Sequence, residues 1–190
     1  MRGVIGTGVA AAVLSAAATI VWVDVLQDQH AGTTAPAPVA VSSPTPVVWY
    51  APPIVEVAKD VDVDQAEVAA FVERVVNDPR GWRTDLDRFT FRIVKPGYRG
   101  TYGFGQDVGR AFVGEDLAVM TADAWVRVGT TFGATGGTLN DQRTQVLLHE
   151  MGHLLGHYNH TECPGSGPAP VMRSNTYGLG NCDLNVWPNP

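Results

Sequence analysis

His149-Glu150-Met151-Gly152-His153-Leu154-Leu155-Gly156-His157-Tyr158-Asn159-His160 holds four of the chain's five histidines. Its first five residues read H-E-x-x-H. On a helix, residues four apart lie nearly one above the other, so His149 and His153 can grip a single metal ion. Glu150 is offset to the side of that pair, within reach of a metal-bound water without being a ligand itself. Gly156 then breaks the helix, and further histidines follow. The pattern implies a Zn2+ site of hydrolytic type and a fold in which one long helix carries the chemistry.

A zinc hydrolase keeps three protein ligands and leaves one position to water. With His149 and His153 fixed, the third place is open to His157, Asn159 or His160. His157 lies another four residues along, so an unbroken helix would string three ligands along a line and set the outer two too far apart. A sharp turn at Gly156 swings a later residue back towards the metal instead. An amide oxygen is a poor zinc ligand beside imidazole, which favours His160 over Asn159. His157 then belongs to the surroundings of the site.

Upstream, Asp64 is a helix N-cap with Glu67 three residues on, the pattern of a capping box. Val68, Phe71, Val72, Val75 and Val76 repeat at spacings of three and four, one apolar helical face. Asn77 to Trp82, with Pro79 and Gly81, stops it. Phe89 to Val94 alternates as a strand does, and Arg110 to Val113 and Leu117 to Thr121 are shorter strand candidates. The catalytic helix is expected to start near Asn140 or Asp141 and to bury Val146, Leu147, Met151 and Leu154. This order of elements predicts an α+β domain over 54–190. The glycine-rich stretches 97–105 and 133–137 lack the Gly-Lys-Ser/Thr ending of a phosphate loop and read as surface loops around the cleft.

Ahead of the domain, Gly3 to Val23 carries no charge and follows Arg2. It is long enough to span a bilayer, while Ala16-Ala17-Ala18 leaves signal cleavage open. Residues 1–26 are therefore a signal anchor or a signal peptide, and the sole cation at the start places the remainder outside the cytoplasm, membrane-anchored or secreted. Residues 27–53, with Ala35-Pro36-Ala37-Pro38 and Ser43-Pro44-Thr45-Pro46, favour extended polyproline conformations and form a linker; His30 is a solvated residue within it. The chain has 190 residues, and an apolar share of 45% suffices for one core. A net charge of -6 with no Lys/Arg cluster disfavours nucleic acid as a partner.

The segment around His149 resembles the metzincin zinc metalloproteases, whose extended motif is H-E-x-x-H-x-x-G-x-x-H followed by a methionine-bearing turn beneath the metal. His149, Glu150, His153 and Gly156 match it position by position; the family's third histidine falls on Asn159, and His160 comes one residue late. Pro170-Val171-Met172 is similar to the Met-turn. More narrowly, Asn77 to Trp82, the active helix and the tail from Cys163 to Trp187 resemble a family of secreted actinobacterial proteins of unknown function. The resemblance implies a zincin-like twisted mixed sheet on two main helices, with the cleft along an edge strand. It further implies a monomeric endopeptidase acting on protein or peptide. Glu150 would be general base towards zinc-activated water, and Tyr158 and Tyr177 are nearby phenols. The shifted third ligand equally permits a catalytically silent, zinc-stabilised binding domain.

Cys163 and Cys182 are the only cysteines, and outside the cytoplasm such a pair forms a disulfide, here one that encloses Met172. The rival reading makes Cys163 a zinc ligand. Asp183 and Trp187 read as capping and packing residues of the tail.

Overall fold

The computed structural model describes residues 48–103, 107–174 and 178–190. The expected membrane or signal segment, most of the Pro-rich linker, and Tyr177 lie outside them. Among the described residues no helix is long and apolar enough to cross a membrane.

The described chain is α+β. Its strands are β1 (Ile54–Val57), β2 (Thr90–Val94), β3 (Gly109–Phe112) and β4 (Leu117–Thr121). Two long helices, α1 (Gln65–Val76) and α4 (Leu139–Leu154), are joined by two short ones, α2 (Ala122–Val126) and α3 (Thr130–Gly133). The sheet is mixed, with order β1-β2-β4-β3. β1, β2 and β4 run parallel, and β3 returns antiparallel to β4, pairing Ala111 with Ala118. β4 is covered on both faces and buried along its whole length.

α1 and α4 share one face of the sheet. Val68, Phe71, Val72, Val75 and Val76 of α1 meet Phe91, Ile93, Ala118 and Met120 of the strands and Val146, Leu147, Leu148, Met151 and Leu154 of α4 in a single core. Each such side chain stabilises the fold by about 1.5–3 kcal/mol when fully buried. The opposite face buries Val94, Leu117 and Val119 under Tyr98 and Phe112. Of the stretch 97–105 expected beside the cleft, Tyr98 is drawn to that second apolar patch, whereas the Tyr102 amide donates to the carbonyl of Asp107, which lines the cavity. The stretch 133–137 does not itself line the cavity; Gly137 abuts the ring of Phe132, which does.

Two local expectations are corrected. Asp64 caps α1 by accepting from the Ala66 amide at 2.8 Å, but Glu67 turns away to pair with Arg143 of α4. The reciprocal box belongs to α4, where Thr138 accepts from the Asp141 amide and Asp141 accepts from the Thr138 amide. α4 consequently begins at Leu139. β1, which the sequence reading left unassigned, is brief and partly exposed. Ahead of it, the Tyr50 amide donates to Asn77 and the Ala51 amide to Asp85, so the end of the expected linker is tied to the fold.

Candidate metal centre

α4 carries His149 and His153 one turn apart, as the four-residue spacing requires. Leu155 caps its end, and Gly156 takes φ 102°. The His157 amide then donates back to the Gly152 carbonyl at 2.9 Å and the Gly156 amide to the His153 carbonyl at 3.2 Å. These are the paired bonds of a Schellman ending, which needs a left-handed residue and so a glycine. The chain doubles back, and His160 arrives beside the two helical rings: its ring centroid lies 5.1 Å from that of His149 and 5.3 Å from that of His153. One nitrogen from each of His149, His153 and His160 falls within 4.8 Å of the others, close enough for the three to bind a metal ion.

Of the other two candidates for the third place, His157 does not join this trio. His157 stacks on Trp82, with ring centroids 4.7 Å apart and planes 19° from parallel. Asn159 is exposed at the surface of the loop. Cys163, the rival ligand, is bonded to Cys182. Tyr158 is exposed.

Second contacts orient the rings. His149 Nδ1 donates to the Val171 carbonyl at 2.9 Å, and His153 Nδ1 donates to the His157 carbonyl at 2.8 Å. A carbonyl only accepts, so Nδ1 carries the proton in both and Nε2 is left free to bind a metal ion. Burial pushes the His149 imidazole down to about 4, against the Val171 bond that favours its cation. Burial also lowers His153. Both rings are neutral at neutral pH, the state that metal ligation demands.

Glu150 is buried beneath β3. A Cβ on Gly109 would sit 2.7 Å from its Oε1 and 2.6 Å from Val146, so the strand passes this carboxyl only because position 109 lacks a side chain. Burial pushes Glu150 up to about 8, while Arg110 and the Ala111 amide pull it the other way and Asp107 adds to the rise. Beside it opens a cavity of about 250 Å³ between β3 and α4, walled by Val108, Phe132 and Val146 and reaching all three histidines. Gln142 braces its inner end: it accepts from the Gly129 amide at 2.7 Å and donates to the carbonyls of Ala124 and Arg127 at 2.6 and 3.0 Å.

Met172 is buried under α4, against Gly152. The turn that carries it is held on both sides, through the Val171 carbonyl on His149 and through the Thr161 amide, which donates to the Met172 carbonyl at 3.0 Å. Trp82, Gly152, Gly109 and Gln142 were missed as site residues by the sequence reading. Only Gly152 gave a signal, since a glycine inside a helix costs roughly 1 kcal/mol and calls for a packing reason.

The family described as "protein of unknown function (DUF3152)" matches residues 47–189, and the chain belongs to it. No curated protein and no solved structure matches the chain.

Proposed function

We propose that the chain is an extracytoplasmic zinc-dependent endopeptidase of metzincin-like architecture, with Glu150 as general base. The observation that carries this reading is the meeting of three imidazoles with one buried carboxyl at the wall of a cavity of about 250 Å³. The donor set suits zinc, since three imidazole ligands leave a further position free in catalytic sites. When bound, zinc supplies Lewis acidity that polarises a carbonyl and activates water near neutral pH.

The remaining work falls to the chain's own groups. His149, His153 and His160 would hold the ion, with the carbonyls of Val171 and His157 fixing the first two rings. Glu150 takes the proton of the attacking water and delivers it to the leaving amine. An extended peptide would pair with β3, the terminal strand of the sheet, and place a side chain in the cavity. The sheet with two long helices on one face, the helix ending at Gly156 and the turn at Met172 support the metzincin likeness. The Cys163–Cys182 disulfide and the apolar stretch 3–23 support a place outside the cytoplasm.

The test uses purified protein and an unstructured protein substrate. Cleavage that stops with a chelator and returns with zinc is expected, and Glu150→Gln should retain the metal while losing cleavage. One observation favours the silent reading, a zinc-stabilised binding domain: the Glu150 carboxyl faces Gly109 and Ala111 of β3 and is held neutral in the metal-free state. On that reading, zinc-loaded wild type and Glu150→Gln both leave the substrate intact.

A further inference from the structure

We infer that Trp82 is a positioning residue of the metal centre, acting on His153 through His157; the inference rests on the reading of His149, His153 and His160 as metal ligands. Trp82 lies in the segment after α1, remote in sequence from the histidines. Its indole N–H donates to the carbonyl of Leu148, the residue before His149, at 2.8 Å. Its ring lies flat against His157 at 4.7 Å. Its Cζ2 is 2.8 Å from the place a Cβ on Gly152 would occupy, the same place that Met172 crowds. One indole therefore touches the helix before the first ligand, the helix between the two helical ligands, and the loop that leads to the third.

The stack on His157 is the informative contact. His157 is exposed, just past a glycine turn, where little else holds a side chain in place. Yet its carbonyl is the group that accepts from His153 Nδ1 at 2.8 Å and so sets that ring's orientation. Pinning the His157 ring against Trp82 fixes the carbonyl behind it. Trp82 is itself braced, because the Asn189 side chain donates to the Gly81 carbonyl at 2.6 Å and the Asn189 amide to the Arg80 carbonyl at 3.0 Å. Core filling alone would call for a partner to the indole N–H but not for the near-parallel rings. Partners that orient metal ligands typically change affinity by about 10–100-fold when removed.

The experiment measures zinc affinity of the full chain by competition with a chromophoric chelator, and the visible spectrum of its cobalt form as a readout of ligand geometry. His157→Phe keeps a ring for the stack and should hold zinc within about threefold of wild type, whereas His157→Ala and Trp82→Leu should weaken it about tenfold or more and alter the cobalt bands. The double variant should be no weaker than the weaker single variant, since both changes break one chain of contacts. Wild-type affinity in His157→Ala overturns the inference, as does a His157→Phe protein as weak as His157→Ala, which would make the imidazole itself the essential group. Should Trp82→Leu fail to fold, the His157 pair decides alone. Wild-type protein that takes up neither zinc nor cobalt overturns the metal-centre reading and the inference with it, a result distinct from a metal site indifferent to His157.

Discussion

Gly152 and Met172 compete for one volume: a Cβ added to Gly152 would run into the Sδ of Met172 and come within 2.8 Å of Trp82. The helix between the two ligands on α4 therefore rests directly on the methionine turn, with no side chain between. Gly152→Ala should gain about 1 kcal/mol in helix propensity and lose about 1–3 kcal/mol through overpacking, a net loss of up to about 2 kcal/mol. Urea unfolding of the chelated protein checks this. Equal or greater stability in the alanine variant would show that Met172 moves aside freely.

The loop after Gly156 places His160, rather than His157, beside the helical pair. Zinc affinity should fall most for His149→Ala, His153→Ala and His160→Ala, each beyond the roughly hundredfold upper range of outer contacts. His157→Ala should fall less, and Asn159→Ala least of the five. Chelator competition ranks them. A larger loss for Asn159→Ala than for His160→Ala would assign the third place to the amide.

In metal-free protein, His149 and Glu150 drive stability in opposite directions with pH. The folded His149 stays neutral down to about 4 while the unfolded ring protonates near 6.5, so its contribution is present above 6.5 and is lost as pH falls towards 4. The folded Glu150 keeps its proton up to about 8 while the unfolded carboxyl releases it near 4.5, so its contribution is lost as pH rises from 4.5 to 8. Only the Glu150 contribution changes between 6.5 and 8. Chelated wild type should there lose on the order of 1–2 kcal/mol relative to chelated Glu150→Gln. Parallel denaturation curves for the two proteins across that window would refute a buried, neutral carboxyl.

The Cys163–Cys182 disulfide closes a loop of sequence separation 19 around the methionine turn. Chain-entropy arithmetic gives about 3 kcal/mol for a loop of this size. Reduction, or replacement of both cysteines by alanine, should lower the melting temperature and loosen the Val171 carbonyl from His149. Zinc affinity is expected to drop in parallel. An unchanged melting temperature after complete reduction would show the tail to be held by its other contacts alone.

The parts of this structure governed by local rules were legible from residues. The apolar face of α1, the core strand β4 and the pairing of His149 with His153 each follow from spacing. The turn at Gly156 also follows, since a left-handed ending leaves glycine as the ready choice. What escaped the reading depends on neighbours distant in sequence. Glu67 abandons its cap because Arg143, on another helix, is nearer to hand. Gly109 looks like any strand glycine until Glu150 is seen beneath it. Trp82 marks only a helix stop in the sequence, and its bond to Leu148 spans 66 positions. β1 is brief, half-exposed and without alternation, so it exists chiefly through its register with β2.

Gln142 fastens the turn between α2 and α3 to α4, using its oxygen and both hydrogens of its amide. That side of the cleft and α4 consequently travel together, and widening the gap would break three hydrogen bonds at once, to the Gly129 amide and to the carbonyls of Ala124 and Arg127. On the proposed function, bound peptides would have to conform to a mould of set width. Selectivity among them should reward fit over adaptability, and grafting a different residue at 142 is the direct way to recast it.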